Sequence, residues 1–189
     1  MTIRSTFFFG DSICFGQYVS PHLTWVGLIS EYLWERGILV QNPSINGDIT
    51  RNALLRMPHD IQEQDVDVLY VQFGLNDCNH WESDNGVPRV DINAFEGNMI
   101  EIVERARASG VKEVLLATNH PVAKLSESPS YNMVIREVAD RYETGLVDHE
   151  DYWKGMSSPD DFLLDGIHLN HKGHLVYYDR VGQCLRGLL

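Results

Sequence analysis

The sequence contains little cysteine. Cys14, Cys78 and Cys184 are the three cysteines in 189 residues, and their spacing is not typical of a metal site. Three cysteines cannot all pair within one chain, so reduced thiols in a cytoplasmic protein are the simplest interpretation. The sequence therefore predicts no disulfide framework.

Positive charge and long hydrophobic runs are also scarce. The chain has 15 Lys and Arg against 27 Asp and Glu, which gives a net charge of −12 and argues against nucleic acid or anionic lipid as the main partner. Near the N-terminus, Arg4 precedes only a short Phe7-Phe8-Phe9 run, too short for a signal-peptide core or a membrane span. We expect neither nucleic acid nor a membrane as partner.

The remaining composition is that of a globular protein. Hydrophobic residues make up 43% of the chain, and we expect residues 1–189 to form a single domain. Strand-like and helical patterns alternate with short connections, which predicts an α/β fold around a parallel sheet. The predicted strands are 6–9, 38–40, 67–73, 111–117 and 145–147. The predicted helices are 21–33, 50–57, 92–106, 131–142 and a last one from about Asn170.

Several predicted helix boundaries and faces rest on single residues. Ser20 before Pro21 predicts the N-cap of the first helix, and Pro58 predicts a break after the second. Asp91 predicts the N-cap of the third helix. Apolar spacing predicts one buried face on the last helix, formed by Leu175, Tyr178, Val181 and Leu185.

Four short motifs follow the predicted strands. Gly10-Asp11-Ser12-Ile13 follows the first strand, Asn46-Gly47-Asp48 the second and Gly74-Leu75-Asn76-Asp77 the third. Asp165-Gly166-Ile167-His168 follows the fifth and immediately precedes the last helix. Because the carboxyl ends of parallel strands meet at one edge of the sheet, we expect all four motifs to converge there.

The converging residue types fit acyl transfer through a serine. Asp165 and His168 are three residues apart in a turn that contains Gly166, so their side chains can form a hydrogen bond. The other imidazole nitrogen can then face Ser12 as the base of a nucleophile. The N–H groups of Ser12 and Gly47 and the side-chain amide of Asn76 are suited to stabilising an oxyanion.

These four motifs resemble the blocks of the SGNH hydrolases, the GDSL-type lipase and acylesterase family. The resemblance spans roughly residues 5 to 175 and implies a three-layer α/β/α sandwich, flavodoxin-like, with a five-stranded parallel sheet. It implies Ser12 as nucleophile, Asp165 and His168 as the rest of a catalytic triad, and Gly47 and Asn76 as oxyanion donors. Ile13 stands where the family more often has leucine, a conservative difference.

Other polar residues near the motifs are open to structural and functional interpretations. We interpret Asp11 and Asp77 as structural residues that shape their loops. The polar stretch from 78 to 89 predicts an active-site loop, in which His80 and Trp81 are candidates for contact with substrate, although Trp81 could equally close the pocket by packing. The remaining candidate substrate-binding residues, after the fourth strand, are Asn119 and His120.

A metal or cofactor is not expected. His168, His171 and His174 are spaced by three residues, but steps of three drift around a helix and no cysteine or free carboxylate completes a ligand set. Cys14 is better explained as a small buried residue than as a nucleophile. A glycine-rich phosphate-binding fingerprint is absent after the first strand.

The sequence thus predicts a serine esterase that acts through an acyl-enzyme on small-molecule esters. The short chain leaves little room for a lid, which favours a short acyl group such as acetyl on a sugar or another small polar alcohol. The alternatives are a lysophospholipase or thioesterase for longer acyl chains, and acyl transfer to an acceptor other than water. A non-catalytic module that binds a carbohydrate or a partner is less favoured, because Ser12 and His168 are both present.

Overall fold

The computed structural model describes residues 2–81, 85–156 and 158–189. Its centre is a sheet of five strands, all parallel, in the order β2-β1-β3-β4-β5. The strands are β1 (Ser5–Gly10), β2 (Leu39–Gln41), β3 (Val68–Gln72), β4 (Glu113–Ala117) and β5 (Gly145–Val147). This sheet confirms the predicted α/β fold with five parallel strands. The strand order reverses direction between β1 and β3, the point at which open α/β sheets form their sites.

Helices cover both faces of the sheet and complete three layers. The helices are α1 (Ser12–Phe15), α2 (Trp25–Trp34), α3 (Thr50–Met57), α4 (Ile92–Ala108), α5 (Ser128–Arg141), α6 (His149–Lys154) and α7 (His171–Arg186). One core lies between the sheet and α3, α4 and α5, and the other includes residues of α1, α2, α6 and α7. In β1, Phe7 and Phe9 enter the first core and Phe8 enters the second, as alternation along a strand requires.

Capping residues fix several of the helix starts. The Asp91 carboxylate accepts hydrogen bonds from the N–H groups of Asn93 and Ala94, which confirms the predicted start of α4. The Asn170 side chain accepts from the N–H of Gly173 and caps α7 in the same way. The α7 helix therefore begins immediately after the segment that contains Asp165 and His168.

The predicted start of the first long helix was wrong. Pro21–Leu23 form a separate 3₁₀ turn in which the Ser20 side chain makes no cap. Thr24 is the N-cap of α2, and its hydroxyl oxygen accepts from the N–H of Gly27 at 3.1 Å. The predicted end of the next helix is confirmed, because α3 ends at Met57 with Pro58 as its C-cap, and a π-helical turn over Pro58–Gln62 follows.

The buried face of α7 also differs from the apolar pattern. Leu175 is 44% exposed, whereas the buried side chains include His174 and Tyr177 beside Val181 and Leu185. His174 points inward because its Nδ1 accepts a hydrogen bond from the N–H of Trp25 at 3.2 Å. The polar contact therefore sets the rotation of the helix. Within the described ranges, none of the helices combines the length and the apolar character needed to cross a bilayer.

Candidate active site

Ser12, His168 and Asp165 form one hydrogen-bonded row at the carboxyl edge of the sheet. The distance from Ser12 Oγ to His168 Nε2 is 3.0 Å, and the distance from His168 Nδ1 to Asp165 Oδ2 is 2.8 Å. Ser12 begins α1 directly beyond β1, and the other two residues precede α7. The three residues that the sequence predicts as a triad are therefore in mutual contact.

Asp165 fixes both the turn and the imidazole. Its Oδ1 accepts hydrogen bonds from the N–H groups of Ile167 at 3.0 Å and His168 at 2.8 Å, while Gly166 supplies a φ of +82°. Burial raises the pKa of Asp165, but the N–H and imidazole hydrogen bonds of His168 outweigh it and lower the pKa to about 2. Above that pH the carboxylate holds a proton on Nδ1 and leaves Nε2 of His168 free to accept one from Ser12.

Asp11 positions the serine and the amide of Asn76. Its Oδ1 accepts from the N–H of Ile13 at 3.0 Å and caps α1, whose first residue is Ser12. As the first helical residue, Ser12 has an N–H with no acceptor inside the helix. The other oxygen, Oδ2, accepts from Asn76 Nδ2 at 3.0 Å, which leaves the second amide hydrogen of Asn76 for another acceptor.

Gly47 lies on an exposed turn that is tied to the end of β1. The N–H of Ile45 donates to the carbonyl of Gly10 at 3.1 Å, and the N–H of Asp48 closes the turn onto Ile45 at 3.2 Å. Gly47 has a φ of +74°, which favours glycine, and its carbonyl accepts from Arg89 Nη1 at 3.0 Å. The turn thus brings Gly47 to the same sheet edge as Ser12.

Two buried carboxylates lie under this edge. Burial raises the pKa of Asp11 to about 7, with a further contribution from the charge of Asp77. Burial likewise raises the pKa of Asp77 to about 6. Asp77 Oδ1 accepts from the N–H of Thr50 at 2.9 Å and from its hydroxyl at 2.6 Å, which joins the loop after β3 to the start of α3. Both residues therefore shape their loops, as the sequence indicates.

Asn119 and His120 do not line the site, and this prediction was wrong. Both follow β4 at the expected edge, but neither side chain is exposed to solvent. Asn119 Nδ2 donates to the carbonyl of Phe73 at 2.8 Å, and its own N–H donates to Asn132. His120 contacts Tyr177 and the carbonyl of Ile167, each at 2.8 Å. Internal partners draw both side chains into the interior.

Trp81 and His80 lie on the exposed side of the site. Trp81 is 51% exposed, and the guanidinium of Arg89 stacks on its ring at 4.1 Å. The same guanidinium donates to the carbonyl of Gly47, so Trp81 is linked to the predicted oxyanion turn. His80 Nε2 lies 3.5 Å from Glu127. Residues 82–84 of the predicted active-site loop lie outside the described residues.

The structure adds Tyr18, a residue that no sequence pattern singles out. Its ring packs edge-on against the imidazole of His168, with ring centroids 5.3 Å apart. Tyr18 is 70% exposed and has a φ of +71°, unusual for a residue with a side chain. A tyrosine at positive φ leaves no periodic signal, so only the backbone reveals it.

His174 and Cys14 are packed in the interior. His174 is buried against α2, and burial lowers its pKa to about 4. Cys14 is buried, its thiol donates to Gln72 Oε1 at 3.4 Å, and burial raises the pKa of the thiol. In the part of the chain that the structure describes, no three His, Cys, Asp or Glu side chains are grouped closely enough to bind a metal ion.

Two curated relatives have similar sequences along most of their length. The uncharacterized lipoprotein YqeF of Bacillus subtilis is 27% identical over 201 residues, which cover 86% of this chain and 80% of YqeF. The esterase TesA of Pseudomonas aeruginosa is 27% identical over 166 residues, which cover 84% of this chain and 76% of TesA. Both relatives therefore match most of the chain.

Solved structures show the same fold. The lipase/acylhydrolase from Enterococcus faecalis superposes with a TM-score of 0.84 at 22% identity, over 99% of this chain and 97% of that one. The acetyl xylan esterase AlAXEase gives a TM-score of 0.81 at 22% identity, over 95% of this chain and 98% of that one. The model of the GDSL-like lipase/acylhydrolase family matches residues 8–176. The chain therefore belongs to that family, the SGNH hydrolases, and is a carboxylic ester hydrolase.

Proposed function

We propose that the protein hydrolyses short-acyl esters, such as acetyl esters of a sugar or another small polar alcohol, through an acyl-enzyme on Ser12. The observation that carries the mechanism is the continuous row from Asp165 through His168 to Ser12, with contacts of 2.8 and 3.0 Å. In this row the serine has a base, and the base has a partner that fixes its tautomer.

In the first step, His168 Nε2 takes the hydroxyl proton of Ser12 while Oγ attacks the ester carbonyl. Negative charge then develops on the carbonyl oxygen, and the donors for it are the N–H groups of Ser12 and Gly47 and the free amide hydrogen of Asn76. The imidazolium, stabilised by the Asp165 carboxylate, returns its proton to the leaving alcohol. In the second step His168 activates water, which releases the acid and restores Ser12.

The space behind Ser12 is filled by buried side chains, which favours a small acyl group. Ile13 and Cys14 are buried, and Asn119 and His120 fill the region at the end of β4 with side chains that are fully buried. A cavity of about 830 Å³ lies elsewhere, beside β2 and the π-helical turn, and Ser12 and His168 do not line it. The likeness in fold to an acetyl xylan esterase is consistent with this proposal.

A surface observation favours a second candidate, hydrolysis of longer acyl esters. Large apolar side chains close to the site are exposed, among them Tyr18 against His168 and Leu164 next to Asp165. An apolar surface of this kind could receive an alkyl chain without a deep tunnel. A relative from Escherichia coli, 23% identical over 186 residues, is named a thioesterase and lysophospholipase.

Hydrolysis of p-nitrophenyl acetate and p-nitrophenyl octanoate tests both candidates. We expect a higher kcat/KM on acetate, and we expect Ser12→Ala to lower kcat roughly 10⁴-fold or more. The exposed Ser130→Ala on α5 is the matched control and should be unchanged. A preference for octanoate would move the assignment to the longer acyl group. Turnover that survives Ser12→Ala would refute the mechanism, and an inactive wild type would favour a binding role.

We also propose that the protein works in the cytoplasm. The support is its cysteine usage, because Cys14, Cys78 and Cys184 carry free thiols and two of them are buried. The relative YqeF, by contrast, is named a lipoprotein. Fractionation of cells that express the protein from its own gene tests the proposal, and recovery in a membrane or exported fraction would contradict it.

A further inference from the structure

A chain of buried polar side chains runs beneath the candidate active site and connects its two halves. It runs from the carbonyl of Ile167, the residue before His168, to Gln72 and divides there. One branch reaches Cys14 in α1, whose first residue is Ser12, and the other reaches His149 through Tyr70. The side chains that form it are His120, Tyr177, Gln72, Cys14, Tyr70 and His149. All six are buried, and the ester hydrolysis proposed above uses none of them.

The contacts of His120 define its tautomer. Its Nε2 lies 2.8 Å from the carbonyl oxygen of Ile167, and its Nδ1 lies 2.8 Å from the hydroxyl of Tyr177. A carbonyl can only accept, so the proton is on Nε2 and Nδ1 accepts from the tyrosine. Burial lowers the pKa of His120 to about 4, which keeps this imidazole neutral.

Gln72, the last residue of β3, is the point at which this chain of hydrogen bonds branches. Its Nε2 donates to the hydroxyl of Tyr177 at 3.1 Å and to the carbonyl of Thr118 at 3.2 Å. Its Oε1 accepts from the thiol of Cys14 at 3.4 Å and from the hydroxyl of Tyr70 at 3.2 Å. Both amide hydrogens and the carbonyl oxygen are therefore satisfied, and the amide has one orientation.

The donors all point in one direction along the chain. The Tyr70 proton is used on Gln72, so His149 Nε2 donates to the Tyr70 oxygen, 3.0 Å away. The order is then His149, Tyr70, Gln72, Tyr177, His120 and the carbonyl of Ile167. Hydrogen bonds aligned in this way among buried groups strengthen one another, and a broken link leaves a buried group unpaired.

We propose that His120 is a positioning residue, which holds the backbone of Ile167 and thereby sets the distance from His168 Nε2 to Ser12 Oγ. Hydrogen bonds through Tyr177 and Gln72 connect His120 to Cys14. The segment that contains His168 and the helix that begins at Ser12 are therefore held by the same buried side chains. The proposal depends on the proposed function, because it assigns His120 a part in the geometry of that reaction. A displacement of about 1 Å between reacting groups can lower the rate roughly 100-fold.

The test compares His120→Leu with His120→Gln on p-nitrophenyl acetate. Leucine removes the donor to Ile167, and we expect kcat to fall roughly 10- to 100-fold with KM nearly unchanged. Glutamine places an amide N–H close to the position of Nε2, so we expect it to recover most of kcat. The proton NMR signal of the hydrogen-bonded Nδ1–H of His168 should broaden or shift in His120→Leu and return in His120→Gln.

Tyr177→Phe tests the same chain if His120→Leu does not fold. It keeps the buried ring but removes the proton that sets the tautomer of His120, and we expect a smaller loss of kcat with the same change in the His168 signal. Wild-type kcat and His168 signal in His120→Leu and Tyr177→Phe would overturn the proposal, as would equal losses in the leucine and glutamine variants. Wild-type activity that survives Ser12→Ala would instead refute the proposed function, so the two failures are distinguishable.

Discussion

The two sides of the active site are built in different ways. On the acid–base side, Asp165 and His168 are held by backbone hydrogen bonds, and the interior supports the adjoining Ile167 through His120. On the opposite side, Gly47 and Trp81 lie on exposed loops that share one stacked arginine, Arg89. The comparison indicates that the interior holds the acid–base groups in place, and we propose that the exposed loops contact the alcohol part of the ester.

The largest effect is expected on the acid–base side. In Asp165→Asn, the amide oxygen keeps the N–H groups of Ile167 and His168, so the amide NH2 takes the place of Oδ2 and donates to Nδ1 of His168. The imidazole then takes the tautomer that places a proton toward Ser12. We expect kcat on p-nitrophenyl acetate to fall by roughly 10² to 10⁴, with little change in KM. Asp161→Asn, in the preceding 3₁₀ turn, is the matched control. A kcat for Asp165→Asn within threefold of wild type would contradict this account.

An intermediate effect is expected at Asp11, which contacts both the start of α1 and Asn76. In Asp11→Asn, the amide oxygen keeps the N–H of Ile13, so the amide NH2 faces Asn76 Nδ2, and Asn76 has to rotate and turn its N–H away from the oxyanion. We expect kcat to fall roughly 10- to 100-fold. Because both changes remove one donor, the double variant with Asn76→Ala should lose no more than Asn76→Ala alone. Additive losses would show that Asp11 acts by another route.

The same variant has a distinct pH dependence of stability. Burial raises the pKa of Asp11 in the folded state to about 7, above the usual range of an aspartate, so the folded state retains a proton that the unfolded state has released. The Asp11 contribution to stability therefore falls as pH rises from about 4 to 7 and is level above that. Between pH 5 and pH 8, the free energy of unfolding measured with denaturant should fall by about 2 to 3 kcal/mol more in wild type than in Asp11→Asn. Equal losses in the two proteins would contradict a raised pKa of Asp11 in the folded state.

The smallest effect is expected on the exposed side. Removal of the Trp81 ring should raise KM for an acetylated sugar about 2- to 10-fold, because the stacking surface is lost, and leave kcat unchanged. Ethyl acetate, which offers no ring to stack, should be hydrolysed as by wild type. Trp34→Ala, an exposed tryptophan on α2 remote from the site, is the control. A loss in Trp81→Ala that is equal for both esters would show that Trp81 packs the site instead.

The sequence was most informative where local chemistry decides the structure. The motifs at Ser12, Asn76 and Asp165 follow strands along the chain. The parallel topology therefore predicted the edge of the sheet at which they lie. The strand and helix patterns likewise predicted the α/β fold, because apolar periodicity reports burial directly.

The direction of several side chains depends on partners far along the chain, which a sequence pattern does not report. A polar residue after a strand has the same sequence pattern whether it faces substrate or the interior. His120 lies in the interior because it contacts Tyr177 and the carbonyl of Ile167, both far along the chain. The rotation of α7 depends in the same way on the contact of His174 with Trp25. The positive φ of Tyr18 has no counterpart in composition or spacing.

The most direct test of the central claim is to trap the acyl-enzyme. Intact-protein and peptide mass spectrometry after brief acid quench with p-nitrophenyl acetate, or after reaction with a fluorophosphonate, locates the modified residue. We expect one adduct per chain on Ser12, absent from Ser12→Ala and strongly reduced in Asp165→Asn. An adduct on another residue, or hydrolysis with no adduct from either reagent, would contradict a serine acyl-enzyme at this site.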